Sequence, residues 1–166
     1  LQQRLGVTTI LVTHDQRAAA IADRVVYSTR IEATNFALAA DDGGVTADYG
    51  RADVVLVGVS RSGKTPTCIY MAMQYGVFAA NYPFIDEDFE GKQLPAMLRP
   101  HTAKMFGLTI SPQRLQQIRN ERRPGSRYAT LAQCEFEVRC AAALFNRYSV
   151  PCLDTTECSI EEIASR

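Results

Sequence analysis

Residues 53–65 read D-V-V-L-V-G-V-S-R-S-G-K-T, and this stretch decides the fold. Its first five residues end in a continuous apolar run, which is typical of a parallel strand buried on both faces. Residues 58–65 match the pattern G-x-x-x-x-G-K-[ST] at every required position. A buried strand that leads directly into this pattern predicts a phosphate-binding loop, or P-loop, followed by a helix.

Phosphate binding explains why the loop needs each of these residue types at its position. Gly58 and Gly63 let the backbone wrap closely around phosphate oxygens, because no Cβ stands in the way. The following helix N-terminus adds the positive end of a dipole. Lys64 is predicted to reach the terminal phosphates as a catalytic residue, and the Thr65 hydroxyl is predicted to bind Mg²⁺. The predicted nucleotide-binding set is Gly58, Val59, Ser60, Arg61, Ser62, Gly63, Lys64 and Thr65.

Short strands and helices alternate on the C-terminal side of this stretch. Apolar runs predict the strands, and helical spacing together with stop signals such as Gly76 predicts the helices. The predicted strands are 53–57, 77–80, 106–110 and 150–153, and the predicted helices are 67–75, 114–123, 131–148 and one that Ser159 caps with Glu162. This order predicts an α/β fold, a P-loop NTPase-like parallel sheet flanked by helices.

A smaller β-α unit precedes the loop. Residues 8–13, T-T-I-L-V-T, predict a buried strand, and residues 16–22 predict a helix. The composition of D-D-G-G at residues 41–44 predicts a turn or loop that separates two unlike parts of the chain. The first residue is not Met, so we expect the chain to be a fragment.

A carboxylate is expected to complete the magnesium site from the end of a neighbouring strand. Asp154, which follows V-P-C-L, is one candidate and is counted with the catalytic residues. Asp86, Glu87 and Asp88, which follow N-Y-P-F-I, are the others. The alternative for each is an exposed loop carboxylate, and the sequence leaves this choice open.

Four arginines flank the helix-breaking pair Pro124 and Gly125. They are Arg119, Arg122, Arg123 and Arg127. A charged, hinged segment of this kind predicts a lid over the phosphates, with Arg122 and Arg123 as catalytic candidates. The alternative is a solvated helix face.

Composition argues against several classes of partner and location. Eighteen Lys and Arg balance eighteen Asp and Glu, so no net charge attracts nucleic acid or a membrane surface. No apolar run approaches the roughly 20 residues of a membrane helix, and the first ten residues lack a secretory signal. Five cysteines without a C-x-x-C pair favour reduced thiols, so we expect a cytoplasmic protein. The sequence leaves open whether the chain forms a homo-oligomer.

Five sequence blocks follow one another between residues 53 and 164. They are D-V-V-L-V-G-V-S-R-S-G-K-T-P-T-C, A-A-N-Y-P-F-I, F-G-L-T-I-S-P-Q-R-L, I-R-N-E-R-R-P-G-S-R-Y-A and T-T-E-C-S-I-E-E-I-A. Through them, residues 30–166 resemble the C-terminal half of the phosphoenolpyruvate synthase regulatory proteins, which are bifunctional serine/threonine kinase/pyrophosphorylases. The regulators of pyruvate phosphate dikinase share the fold and the loop, but A-A-N-Y-P-F-I is more similar to the synthase branch.

The resemblance implies an activity that composition and spacing do not show. It implies a kinase that uses ADP, or alternatively ATP, with Mg²⁺ to phosphorylate a threonine of phosphoenolpyruvate synthase. It also implies a reverse reaction in which inorganic phosphate removes that phosphoryl group and pyrophosphate is released. The loop residues 58–65 take the family's nucleotide-binding role, and the resemblance assigns no catalytic base.

Residues 1–28 resemble a different family, the transporter-type ABC ATPases, around their switch histidine. His14 in V-T-H-D would be that histidine, but the partner segments that complete an ABC site do not occur in the chain. We therefore predict two parts, a foreign or divergent segment at residues 1–29 and a kinase domain at residues 30–166. Two rival functions stay open, a nucleotide-binding module without catalysis and an ABC-type ATPase subunit.

Overall fold

The computed structural model describes residues 16–43 and 48–166, and their sheet has four strands. The strands are β1 (Val54–Gly58), β2 (Ala79–Pro83), β3 (Met105–Thr109) and β4 (Cys152–Asp154). They lie in the order β2-β1-β3-β4, and every neighbouring pair is parallel. The predicted α/β fold with a parallel sheet is therefore confirmed.

Six α-helices and three short 3₁₀ turns connect and cover these strands within the described residues. The helices are α1 (Gln16–Ala39), α2 (Lys64–Tyr75), α3 (Asp86–Gly91), α4 (Pro112–Arg122), α5 (Leu131–Tyr148) and α6 (Ile160–Ala164). The 3₁₀ turns are Asp41–Gly43, Arg99–Lys104 and Arg127–Ala129. None of the described helices has the length and apolar character that crossing a membrane requires.

Alternate side chains of β1 pack into two separate hydrophobic cores. Val55 and Val57 are fully buried in one core, which also contains Phe145 of α5. Leu56 belongs to the other core, together with Cys68 of α2. Because a strand with both faces covered has no solvated side, its sequence is apolar without alternation, as the run at residues 53–57 predicted.

The helix α2 begins earlier than its propensities predicted. The helix was predicted over residues 67–75 with Pro66 at its start, whereas it starts at Lys64 directly after Gly63, which has a left-handed φ of 92°. Its end was predicted correctly, since Gly76 adopts φ 69° and its N–H bonds to Ala72 O at 2.9 Å. The P-loop therefore leads without a linker from β1 into α2.

The last predicted helix is also confirmed, together with its cap. Ser159 Oγ accepts from Glu162 N at 3.2 Å, and a Glu162 carboxylate oxygen accepts from Ser159 N at 2.7 Å. This is a capping box, which satisfies two N–H groups that a helix start leaves unpaired. The cap was visible in sequence because all its partners lie within four residues.

The N-terminal part differs from its prediction in helix length. The helix predicted at residues 16–22 continues to Ala39, so α1 passes through residues 27–30 without a break. The D-D-G-G segment was predicted as a turn or loop, and in agreement its first three residues form the 3₁₀ turn Asp41–Gly43. The strand predicted at residues 8–13 and His14 lie outside the described residues. The division between residues 29 and 30 stays a prediction.

Candidate nucleotide site

The P-loop is held in a shape that only glycine allows at two positions. Gly58 ends β1 with φ 153°, and a Cβ placed on it would lie 2.2 Å from the carbonyl oxygen of Leu108 in β3. Gly63 has φ 92° and caps the start of α2. These two residues let the loop turn between β1 and α2 while its backbone stays close to β3. The glycine positions of the sequence motif thus have a direct steric reason.

Lys64 lies inside the loop rather than in solvent. Its side chain is 4% exposed, and Nζ donates to Val59 O at 2.7 Å. Burial lowers the pKa of Lys64 to about 8, and Asp42 is the strongest of the neighbouring charges that oppose this shift. The ammonium group is therefore desolvated, and among the described residues it makes a single hydrogen bond, so its remaining N–H groups can donate to an anion bound in the loop.

Thr65 contacts a carboxylate that the sequence prediction missed. Thr65 Oγ1 donates to Asp41 Oδ1 at 2.7 Å, and the same oxygen accepts from Asn81 Nδ2 at 2.7 Å. Asn81 is fully buried in β2, and its Oδ1 accepts from the backbone N of Asp42 at 3.2 Å. Asn81 thus fixes the Asp41–Gly43 turn against the P-loop. The available signal was a polar residue inside the apolar strand sequence A-A-N-Y.

A cavity of about 520 Å³ opens above the loop. Its walls include Lys64, Thr65, Asp41 and Asp42, and Arg122 of α4 also lines it. The remaining lining residues are Ser60, Arg61, Gly63, Pro66 and Ile118. Most of the predicted loop residues and one predicted arginine therefore meet around a single cavity, whose size is within the range of small-molecule sites.

The other predicted acids and Arg123 lie away from this cavity wall. Asp154 is exposed at the end of β4, where Oδ1 accepts from Thr156 N at 2.9 Å. Arg123 is exposed at the C-terminal end of α4. Asp86 and Glu87 line a neighbouring cavity, while Asp88 accepts from Ile85 N at 3.0 Å. Asp41 is thus the carboxylate in contact with Thr65, and Asp154 is not.

Arg119 has a structural position that the lid interpretation did not foresee. Its side chain is fully buried, and its Nη2 lies 2.6 Å from Glu137 Oε2 on α5. Nη2 also donates to Ser60 O at 3.2 Å, and the guanidinium carbon lies 3.9 Å from the Tyr128 ring centroid. The interpretation of Arg119 as a lid residue is therefore wrong, because it is fixed between α5 and the P-loop.

We expect Glu137→Gln to lower the free energy of unfolding by about 3 kcal/mol, because it leaves the buried guanidinium of Arg119 without its counter-charge. Urea unfolding followed by circular dichroism measures this difference. Glu135→Gln on the exposed side of α5 is the matched control, and it should change stability by less than about 0.5 kcal/mol. Equal effects of the two substitutions would contradict a structural role for this ion pair.

A parallel sheet with a P-loop between β1 and α2 defines a P-loop protein of NTPase-like fold. The chain belongs to the kinase/pyrophosphorylase family, whose model matches residues 1–166. The family resemblance inferred from the five sequence blocks is therefore confirmed. The match also includes residues 1–29, which were predicted to be a foreign or divergent segment.

Similarity to curated proteins supports the same family assignment. A protein from Halorhodospira halophila (strain DSM 244 / SL1) is 60% identical over 149 residues, which are 90% of this chain and 55% of the relative. One from Pseudomonas putida (strain F1) is 58% identical over 140 residues, which are 84% of this chain and 52% of the relative. One from Legionella pneumophila (strain Corby) is 54% identical over 150 residues, 90% and 55%. All three bear the name "Putative phosphoenolpyruvate synthase regulatory protein". The chain spans about half the length of these relatives.

Proposed function

We propose that this chain carries the phosphate-donor site of a phosphotransferase that regulates phosphoenolpyruvate synthase. In the proposed reaction ADP is the donor and a threonine of the synthase is the acceptor. Inorganic phosphate reverses the modification and leaves as pyrophosphate. The observation that carries the proposal is the cavity that joins buried Lys64 to the Thr65 and Asp41 pair. Family membership and the names of the relatives support the choice of reaction and substrate.

The loop residues suit the phosphates of a nucleotide. Lys64 Nζ has only the Val59 carbonyl as a partner among the described residues, so a phosphate oxygen can take over or share this bond. The buried Ser62 hydroxyl has no hydrogen-bond partner in the described part of the chain. A buried polar atom without a partner is costly, and an anion in the loop would satisfy it. The site therefore fits an anionic ligand better than it fits an empty state.

The residues beside the loop also suit Mg²⁺. Thr65 and Asp41 supply hydroxyl and carboxylate oxygens, which are the ligand types that this ion prefers. No group of three or more His, Cys, Asp or Glu in residues 16–43 and 48–166 could hold a metal alone. Such a sparse set is usual for Mg²⁺, which takes its other ligands from substrate phosphates and water. When bound, Mg²⁺ offsets negative charge on the phosphates.

The chain's own groups then position the donor for a balanced transfer. The threonine oxygen forms a bond to the β-phosphorus of ADP, the bond from that phosphorus to the bridging oxygen breaks, and AMP leaves with the electron pair. One proton is released from the hydroxyl. Lys64 and Arg122 face the cavity and would stabilise the charge that spreads over the transferring group. In the reverse modification, an oxygen of inorganic phosphate forms a bond to the phosphorus of phosphothreonine, and the bond from that phosphorus to the threonine oxygen breaks. The threonine oxygen takes up the proton that phosphate loses, and pyrophosphate is released.

The test is direct transfer to the protein substrate. The chain is incubated with ADP, Mg²⁺ and phosphoenolpyruvate synthase, and phosphothreonine is measured by mass spectrometry. We expect phosphothreonine on the synthase, and its loss with release of pyrophosphate when excess phosphate is added. Intact ADP binding without any transfer would instead support the rival function, a nucleotide-binding module without catalysis.

The role of Asp41 can be tested against that of Asp154. We expect Asp41→Asn to raise the Mg²⁺ concentration needed for half-maximal ADP binding by about tenfold, because a carboxylate near the ion becomes neutral. Isothermal titration calorimetry across a Mg²⁺ series measures this value. Asp154→Asn is the matched control and should leave it unchanged. The reverse pattern would return the magnesium role to Asp154.

A further inference from the structure

A second cavity of about 550 Å³ adjoins the nucleotide cavity. Asp42 and Ser60 line both cavities, so the two cavities adjoin each other beside Ser60 of the P-loop. The donor site described above uses nothing else in this second cavity. A group that lies in it is therefore close to the phosphate end of the loop without occupying the loop itself.

Besides Asp42 and Ser60, three further parts of the chain contribute to the walls of this second cavity. The segment after β2 contributes Phe84 and Ile85, the 3₁₀ turn Arg127–Ala129 contributes Arg127, and α5 contributes Gln133. Phe84 is buried, but Ile85 is 48% exposed. The walls thus combine apolar surface with polar side chains, which is the usual composition of a binding cleft.

The P-loop side of this cavity is rigidly supported. Tyr128 Oη donates to Ser60 Oγ at 2.9 Å, and Arg119 Nη2 donates to Ser60 O at 3.2 Å. Gln133 Nε2 donates to Glu137 Oε1 at 3.0 Å, which connects the same wall to the buried ion pair. Because these contacts join the cavity wall to the P-loop, they would hold a ligand in the cavity at a fixed position relative to the donor site.

The charges around the cavity are unequal. Carboxylates of Asp42, Asp86 and Glu87 line it, and Arg127 is the single cation among its free side chains in the described residues. A phosphorylated side chain carries close to two negative charges at neutral pH and would be repelled by the carboxylates. Arg127 is the group that can compensate for this, since a guanidinium forms paired hydrogen bonds with phosphate.

We propose that this second cavity is the acceptor site: it receives the hydroxyl-bearing segment of the protein substrate, and Arg127 binds the phosphoryl group of the phosphorylated segment. The proposal rests on the proposed function, because the acceptor is defined by the transfer reaction. Its volume suits a few residues of an extended segment rather than a folded domain. The proposal predicts that Arg127 matters more for the phosphorylated than for the unphosphorylated form.

A binding experiment tests this without requiring activity. The chain, with its P-loop saturated by ADP and Mg²⁺, is titrated with N-acetyl-phosphothreonine-N-methylamide and followed by heteronuclear NMR. We expect shifts at Tyr128 and Gln133, and at least tenfold weaker binding for Arg127→Gln. The unphosphorylated threonine compound should bind more weakly and show little dependence on this substitution. Arg139→Gln, an exposed arginine on α5 outside the cavity, is the charge-matched control and should behave as wild type.

A kinetic experiment separates this proposal from the proposed function. With phosphoenolpyruvate synthase as substrate, Arg127→Gln should raise the KM for the phosphorylated synthase at least tenfold and leave ADP affinity unchanged. If the wild-type chain transfers no phosphoryl group, the proposed function fails for this chain, and the NMR titration still decides the acceptor site. Equal weakening by Arg127→Gln and Arg139→Gln, or shifts confined to residues outside the second cavity, would overturn the acceptor site.

Discussion

Gly58→Ala is expected to lower the free energy of unfolding by more than about 4 kcal/mol, an unusually large effect for one methyl group. The new Cβ would lie 2.2 Å from the Leu108 carbonyl oxygen, a distance that real Cβ atoms do not reach. The obstacle is backbone in the paired strand β3, so no side-chain rotation relieves it. The φ of 153° adds strain for any residue other than glycine. Urea unfolding followed by circular dichroism measures the loss.

Gly91→Ala is the matched control for this prediction. No heavy atom lies within 4 Å of the Cβ that it would add at the end of α3. Alanine also restricts the unfolded chain more than glycine does, so stability should stay within about 1 kcal/mol of wild type or rise slightly. If Gly58→Ala were as mild as this control, β1 and β3 would not approach each other as closely as the structure shows.

The parts of the fold that the sequence predicted well depend on local rules. The strand β1, the P-loop and α2 lie in one uninterrupted stretch, and each transition has its own residue signal, such as Gly63 and Gly76. The capping box at Ser159 is equally local. In these cases the physical cause and the sequence pattern cover the same few residues, and this is why they could be predicted.

The parts that the sequence did not reveal depend on contacts between distant residues. Asp41 meets Thr65 across 24 positions of sequence and Asn81 across 40, and nothing in D-D-G-G distinguishes it from a surface turn. Arg119 stands among charged residues that look solvated, yet its partner Glu137 lies 18 positions later on α5. Periodicity and composition indicate which face of a single helix or strand is buried. These residue pairs instead form because one element packs against another, which a local pattern does not indicate.

Lys64→Met is expected to weaken ADP binding about a thousandfold, or roughly 4 kcal/mol, because the loop loses its only buried cation that faces the nucleotide cavity among the described residues. Isothermal titration calorimetry with ADP and Mg²⁺ measures the affinity. Lys92→Met, the same change at an exposed lysine outside this cavity, is the control and should leave the affinity unchanged. Tight ADP binding by Lys64→Met would remove this lysine from the donor site.

The same substitution should make the ligand-free protein more stable. Burial lowers the pKa of Lys64 from 10.5 to about 8, so at pH 7 the folded state holds a charge that costs up to about 3 kcal/mol. Methionine removes that cost and should raise Tm by roughly 5 °C at pH 7. Because the unfolded chain holds this proton more tightly, the wild type gains stability as pH rises from about 8 towards 10.5, and the difference between the two proteins should shrink. Thermal unfolding at pH 7 and at higher pH tests both statements. A lower Tm for Lys64→Met at pH 7 would mean that the bond from Nζ to Val59 O outweighs the burial cost, and that Lys64 supports the empty loop as well as the bound nucleotide.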